Sequence, residues 1–299
     1  MTSVKNRFSR STRRSVTLML PALFFITALG LFPILRGVYF GFTDYRIGLG
    51  HNFNWFQNYI TIARNGHLGI AFRNTVLITF ISIVIVYILS LILALLLDSD
   101  IPFKKLFRTL LIVPWAVPPV ARIWSWNYIF NGAFGPLNAV LLDLGFIDRP
   151  IVWLAHPNFA LGAIITVIVW GCIPFTVMSF LSAFQSIPKE NYEAAMVDGA
   201  NSFQRLWYIT LPHLKAITAV TMSLLFMWIS NDFPSQFLLT NGGPGTATLT
   251  IAVEAYLQAF RQGNFGLATA YGNVMIVFCL FVLFFYLRAM SEKDKGVRT

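Results

Sequence analysis

Two charged side chains stand inside long apolar stretches of this sequence. Arg122 lies in the run 106–130 and Asp232 in the run 216–240, and both runs are otherwise rich in aliphatic and aromatic residues. A guanidinium or a carboxylate that faced lipid at mid-depth would cost about 2.5–3.5 kcal/mol. We therefore predict that both side chains face the protein interior at one level, either paired with each other or lining a polar cavity.

The run around Asp232 carries further polar and aromatic residues at helical spacing. On a continuous helix, residues three or four positions apart share one face. The set on this face is Trp228, Asn231, Asp232, Ser235 and Gln236. An aromatic surface beside amide and carboxylate groups suits a polyhydroxylated ligand, through stacking and hydrogen bonds. The same groups are equally typical of polar contacts between membrane helices.

The composition indicates which kind of element carries these residues. The 299 residues are 57% hydrophobic and 11% charged, with a mean hydropathy of +0.67. Soluble domains contain about 25% charged residues, so the sequence predicts an integral membrane protein. A helix needs about 20 apolar residues to cross the hydrocarbon layer. The segments that meet this length are 16–40, 72–97, 106–130, 159–184, 216–240 and 267–288.

The positive charge predicts the orientation of these spans. With the N-terminus in the cytoplasm, fifteen Lys and Arg residues fall in cytoplasmic segments and five in outer segments. Such a bias is typical of cytoplasmic loops, so the net charge of +10 is interpreted as orientation charge and not as a nucleic-acid surface. The predicted organisation is a cytoplasmic N-terminus at 1–15, a membrane domain at 16–288 with a cytoplasmic loop at 185–215, and a cytoplasmic C-terminus at 289–299.

Prolines and a glycine predict interruptions in three of the spans. Because proline lacks the backbone N–H, it breaks or bends a helix. Freed backbone groups at membrane depth are tolerated beside protein or a water-filled path, and broken helices recur in transport sites. Alternatively, Gly and Pro are simply commoner in membrane helices. The residues concerned are Pro114, Pro118, Pro119, Gly171, Pro174 and Pro234.

The sequence lacks the usual signs of catalysis. It has no GxxxxGK[ST] phosphate-binding loop, no HExxH zinc motif and no paired acids within the apolar runs. Cys172 and Cys279 lie inside apolar runs and are interpreted as small buried hydrophobes, not as a disulfide or metal ligands. We predict no catalytic residue, metal or cofactor in this chain, so the energy for a pump must come from another chain.

The loop at 185–215 has the start and stop signals of a helix–turn–helix. Pro188 suits the first helical position, and Gly199 suits the stop. Ser202 is predicted to cap a second helix, which Pro212 ends. The face that the first helix presents is small and only partly apolar, which predicts docking into the groove of a partner. That face consists of Tyr192, Ala195, Met196 and Gly199.

Within this loop, the residues resemble the signature of the membrane subunits of binding-protein-dependent ABC importers. The signature is E-A-A, three residues, G, nine residues and I-x-L-P. It is matched by Glu193, Ala194, Ala195, Gly199, Ile209, Leu211 and Pro212. The stretches NDFPSQFLLTNGGPGTATLTIAVEAYLQAF and GLATA look like the carbohydrate-uptake branch of these importers, specifically its maltose-type first permease.

The resemblance implies an all-α polytopic fold, that of a type I ABC importer permease with six transmembrane helices and a cytoplasmic coupling helix–turn–helix. It implies a non-enzymatic subunit in a prokaryotic inner membrane. Its partners would be a second permease, two copies of a cytoplasmic ATPase that bind ATP and Mg, and an extracytoplasmic binding protein that delivers a sugar. Met196 and Asp198 would join the signature residues in coupling to the ATPase. The same machinery for a phosphorylated polyol is the alternative, and an autonomous carrier or embedded enzyme is a third hypothesis.

Overall fold

The structure is a computed structural model that describes the backbone of residues 17–295 and the side chains as far as residue 290. The N-terminus predicted at 1–15 lies outside the described residues, as do residues 296–299 of the predicted C-terminus. Within the described range the backbone is helical apart from its connections. The β contacts found there are the isolated bridges Thr43–Phe53 and Arg46–Asn264.

The helices of the described range are α1 Thr17–Phe40, α2 Gln57–Arg64, α3 His67–Asp98, α4 Lys104–Ala116, α5 Pro119–Ile129, α6 Pro136–Asp143, α7 Pro157–Phe184, α8 Lys189–Val197, α9 Ser202–Arg205, α10 Leu211–Ser230, α11 Phe233–Thr240, α12 Ile251–Tyr256 and α13 Phe265–Lys295. Wider π-helical turns lie at Ile26–Leu31, Leu206–Thr210 and Leu257–Arg261.

Five helical stretches of the described range are long and apolar enough to cross a membrane, and the α4–α5 pair makes a sixth if it counts as one span. The five are Thr17–Phe40, His67–Asp98, Pro157–Phe184, Ser202–Thr240 and Phe265–Met290. The predicted fold class, an all-α polytopic membrane protein, is confirmed.

The third predicted span is not a straight helix, because α4 and α5 meet at 99°. Val117 is extended (φ −74°, ψ 127°), as expected for a residue that precedes a proline, and Pro118 also has an extended ψ of 138°. The prediction of an interruption is correct here. Because of this bend, the depth of Arg122 does not follow from its position in the run at the rise of about 1.5 Å per residue of a straight helix.

The other two predicted interruptions have different outcomes. Helix α7 continues without a break through Pro174, which is buried in the helix packing, so the predicted interruption does not break the helix there. The fifth span breaks between α10 and α11, at Asn231 and Asp232. Pro234 occupies the first turn of α11, where its missing N–H leaves no hydrogen bond unmade.

The described chain forms two compact units, and the larger one holds residues 66–254 and 275–295. Its core is built where α3, α7 and α10 pack together. Small side chains lie along one face of α3, at Ser82, Ser90 and Ala94, with Val86 between the first two, and all four residues are buried. Small residues let membrane helices approach closely, and this stripe therefore explains the tight contact of α3 with its neighbours.

The smaller unit holds residues 17–65 and 255–274. Asn58 is buried in this unit, and its side-chain amide donates to the carbonyl oxygens of Gly41 at 2.9 Å and Thr43 at 2.7 Å. Asn273 donates to the carbonyl of Val38 at 3.1 Å and to the hydroxyl of Tyr59 at 2.7 Å. The two side-chain amides therefore provide hydrogen bonds for backbone carbonyl groups at the end of α1 and in the loop that follows it.

Asn138 on α6 organises the connection between α5 and α7. Its buried side chain donates to Gly132 O at 3.2 Å and Ile151 O at 2.9 Å, and it accepts from Ile151 N at 3.2 Å and Trp153 Nε1 at 3.0 Å. We expect Asn138→Ala to lower the free energy of unfolding by about 3 kcal/mol, because it leaves buried partners unsatisfied. Thermal unfolding in detergent measures this loss.

The matched control is Asn131→Ala in the same connection. Asn131 Oδ1 accepts from the backbone N–H groups of Ala133 at 2.9 Å and Phe134 at 3.1 Å, at a solvent-exposed turn. Water can replace these bonds, so we expect a loss of about 1 kcal/mol. Equal shifts of the unfolding midpoint for the two variants would contradict the role assigned to Asn138.

Candidate functional site

The α4–α5 bend forms one wall of a cavity of about 390 Å³ inside the larger unit. Arg122 lies one turn into α5, where its backbone N–H donates to Pro118 O at 3.0 Å. The bend therefore directs this side chain toward α7 and α10. The cavity is lined by Trp115, Val117, Pro119, Arg122, Ile168, Gly171, Cys172, Phe175, Trp228, Ile229 and Asp232. Its volume falls in the range of about 300–1,000 Å³ that is typical of small-molecule sites.

The chemistry of the lining combines aromatic walls with two opposite charges. Trp115, Phe175 and Trp228 supply the rings, and the last two lie edge to face with centroids 5.0 Å apart. Arg122 and Asp232 line the same cavity but do not approach within the 4.0 Å of an ion pair. An aromatic surface next to separated charged groups can stack a sugar ring and hydrogen-bond its substituents.

The structure thus brings together three of the residues predicted for the substrate path, Arg122, Trp228 and Asp232. Asp232 accepts from the backbone N–H of Ser235 at 3.3 Å and caps α11. The face-sharing argument fails beyond Asp232, because the helix break changes the direction of the following side chains. Ser235 and Gln236 are buried away from the cavity.

Two of the predicted residues have structural contacts instead. Asn231 Nδ2 donates to Met227 O at 3.0 Å and to Ser230 Oγ at 3.2 Å, and so satisfies the end of α10. Gln236 Oε1 accepts from the Thr250 hydroxyl, which holds the segment before α12.

Sequence reasoning missed the contribution of α7 to the cavity. Ile168, Gly171, Cys172 and Phe175 have the i, i+3, i+4, i+7 spacing of one helical face. That spacing was readable in the sequence, but nothing in it indicates that Arg122 lies against this face. Cys172 lines the cavity, whereas Cys279 is buried as predicted.

The second candidate site is the segment from α8 to the start of α10. Helix α8 begins at Lys189, and Pro188 is its N-cap residue. The prediction placed Pro188 at the first helical position, one position further into the helix. It ends in a Schellman motif, in which Gly199 N donates to Met196 O at 3.1 Å and Ala200 N to Ala195 O at 2.8 Å. Gly199 has φ +81°, the left-handed conformation that favours glycine.

The next helix begins and continues differently from the prediction. Asn201, and not Ser202, caps α9, because Asn201 and Gln204 exchange side-chain and backbone hydrogen bonds, each of 2.8 Å. Pro212 does not end this helix. The preceding turn is π-helical, with Leu211 N donating to Leu206 O, and the wider turn carries the chain past the proline into α10.

The exposed side of this segment carries large apolar side chains among charged and polar ones. Tyr192 and Ala195 are half-buried, and the Tyr192 hydroxyl bonds the Thr210 hydroxyl at 3.0 Å, whereas Met196 and Gly199 of the same predicted face are exposed. Glu193, Ala194, Asp198, Gly199 and Pro212 are exposed, while Ile209 and Leu211 are half-buried. The large exposed side chains are Met196, Val197, Phe203, Trp207 and Tyr208.

Comparisons with known proteins agree with this architecture. Residues 87–290 match the family described as binding-protein-dependent transport system inner membrane component. The chain is 33% identical to the sulfoquinovosyl glycerol transport system permease protein SmoG of Agrobacterium fabrum, over 94% of this chain and 91% of the relative. It is 32% identical to the trehalose/maltose transport system permease protein MalF of Thermococcus litoralis, over 78% of each chain.

Solved structures share the fold at lower identity. A bacterial ABC transporter involved in the import of the acidic polysaccharide alginate contains a chain that matches with a TM-score of 0.81 and 21% identity, covering 97% of this chain and 98% of that one. A second structure, of the alginate transporter in complex with an alginate pentasaccharide-bound periplasmic protein, matches with a TM-score of 0.80 and 23% identity, covering 94% of each chain.

Proposed function

Since this chain belongs to the family of inner membrane components of binding-protein-dependent transport systems and is an ABC importer permease, we propose that it imports a sugar or oligosaccharide. In this proposal an extracytoplasmic binding protein delivers the solute, this chain and a second permease form the path, and two copies of a cytoplasmic ATPase supply the energy. ATP and Mg bind to the ATPase, and this chain is not an enzyme.

The observation that carries the proposal is the exposed segment 189–212. Its signature residues stand on a short helix, a left-handed glycine turn and a π-helical turn, next to five large exposed apolar side chains. A helix this short is marginal in water without tertiary packing. A groove on the ATPase would bury these apolar side chains, which makes the segment the coupling element.

The orientation follows from the same proposal. The excess of Lys and Arg on one side of the predicted spans supports cytoplasmic placement of both termini and of segment 189–212. In this arrangement the ATPase moves α8, and the motion passes through the π turn and α10 to Trp228 and Asp232 in the cavity. Coupling requires a part of the protein that has two conformations, with an equilibrium that both the ATPase and the solute in the cavity can shift.

A carbohydrate solute is supported by the aromatic walls of the cavity and by the names of the relatives, whose printed substrates are sulfoquinovosyl glycerol and trehalose or maltose. The second candidate, a phosphorylated polyol, is supported by Arg122 in the lining. Thermal unfolding of the complete complex with sugars, polyols and their phosphates separates the two. Amino acids and peptides are added as further ligands, and stabilisation by these alone would overturn both candidates.

A further inference from the structure

Arg122 is a charged group without a hydrogen-bond partner in the described part of the chain. Its Nε is buried and makes no hydrogen bond, and its guanidinium forms no ion pair within 4.0 Å. The side chain is half-buried in the cavity wall, so water does not fully solvate it. A buried donor that stays unpaired costs about 1–3 kcal/mol, and more when it is charged.

Asp232, the other charged group in the cavity, is engaged differently. Its Oδ1 accepts from the backbone N–H of Ser235 and lies at the N-terminus of α11, where a negative charge is favourable. The carboxylate therefore has a hydrogen-bond partner, whereas the guanidinium has none and interacts with Asp232 only by electrostatic attraction over more than 4.0 Å. The cavity consequently presents a free cationic donor together with three aromatic rings.

We propose that Arg122 is a specificity-determining residue that binds an anionic substituent of the imported solute: a carboxylate, sulfonate or phosphate group on a sugar or polyol. Guanidinium donors match the oxygens of these groups in a bidentate, charge-assisted geometry. Trp115, Phe175 and Trp228 pack against the ring, and the second oxygen of Asp232 accepts from its hydroxyls. This inference rests on the proposed transport function, and it narrows the solute to an anionic one.

The guanidinium of Arg122 lies against Gly171 on α7, in the space that a side chain at this position would fill. A Cβ at Gly171 would lie 2.7 Å from Arg122 Cζ and collide with Nη1, so any larger residue displaces the end of the side chain. Gly162, nine positions earlier on the same helix, has no atom within 4 Å of an added Cβ. The two glycines thus form a matched pair for testing the placement of the cation independently of its charge.

The test measures solute binding by the complete transporter, reconstituted with its second permease and ATPase but without the binding protein, whose own selectivity would obscure that of the cavity. The probes are methyl glycosides of glucose, galactose and mannose, each with a 6-hydroxyl, 6-carboxylate, 6-sulfonate or 6-phosphate group. Inorganic sulfate is measured in parallel. We expect at least one anionic glycoside to bind more tightly than the 6-hydroxyl glycoside of the same sugar, and more tightly than sulfate alone.

Substitutions then assign this preference to Arg122. We expect Arg122→Gln to weaken binding of the anionic glycoside about tenfold or more and to change that of the neutral glycoside less than about twofold. Arg122→Lys should retain part of the preference. Gly171→Ala should reduce it with the charge still present, whereas Gly162→Ala should not. Equal losses for the anionic and neutral glycosides in Arg122→Gln would show a structural role and overturn the proposal.

The failures of the two proposals are distinguishable. Binding of neutral glycosides without a preference for their acids overturns the role of Arg122 and leaves sugar import standing. Binding of sulfate as tight as that of every anionic glycoside also overturns it, because the site would then recognise no sugar. Failure to bind any of these glycosides, together with failure of every sugar and oligosaccharide to stabilise the complete complex against thermal unfolding, overturns sugar import itself together with the inference.

Discussion

Replacing Gly199 with valine should reduce ATP-driven uptake by more than about tenfold. Coupling free energies between two sites are typically about 1–3 kcal/mol, which corresponds to changes of about 5- to 150-fold. Gly199 has φ +81°, and a β-branched L-residue pays about 1–2 kcal/mol to adopt the left-handed conformation. Both hydrogen bonds of the Schellman motif depend on this conformation. The turn between α8 and α9 would reorganise and move α8 out of its docking position. Uptake by reconstituted proteoliposomes measures the effect.

Gly145→Val is the matched control for this prediction. Gly145 also has a positive φ of +70° and open space around an added Cβ, but it follows α6 in a different connection. Both variants carry the same kind of backbone strain, so membrane insertion and yield should be similar. Uptake that is equally impaired in both variants would mean that strain alone, and not coupling at α8, causes the loss.

Glu193→Lys should remove the ATPase from the purified complex. Glu193 is exposed on α8 beside Ala194, whose small side chain leaves room for another chain's backbone. Reversing its charge places a cation where the partner is expected to present a group complementary to a carboxylate, and the repulsion should lower the retained ATPase about tenfold or more. The ATPase that remains bound after affinity purification of the tagged permease is the quantity to measure.

Asp143→Lys controls for the change in net charge. Asp143 is an exposed acid at the end of α6, outside the segment assigned to coupling. We expect this variant to retain the ATPase at the level of the unmodified chain. If Glu193→Lys also retains it and supports normal uptake, the coupling role of α8 is wrong.

Much of the fold could be predicted because apolar length is a strong signal. The predicted runs 72–97, 159–184 and 267–288 fall within long helices, and Pro118 and Pro119 correctly indicate the sharp bend of the third span. The rule that proline ends or breaks a helix failed at two positions where the surrounding structure keeps the helix continuous. Pro174 leaves α7 intact within a buried helix contact, and the π turn before Pro212 carries the helix onward.

The site could be predicted only in part for a related physical reason. A charge in an apolar run is costly, so Arg122 and Asp232 were identifiable from their position alone. Ser235 and Gln236 were assigned to the same face because the helix was assumed to be continuous. The break at Asn231 changes the direction in which the following side chains point, so these two residues do not share that face. Gly171 was missed as a site residue because only the folded chain shows Arg122 lying against it.

The most direct test is ATP-dependent uptake of a labelled sugar by proteoliposomes. The liposomes contain this chain and its second permease, with or without the ATPase and the binding protein. If this chain is half of a translocation path that another subunit drives, uptake requires all components and ATP, and Gly199→Val reduces it by more than about tenfold while Gly145→Val does not. Uptake of the sugar by the two permeases without the ATPase would contradict this function.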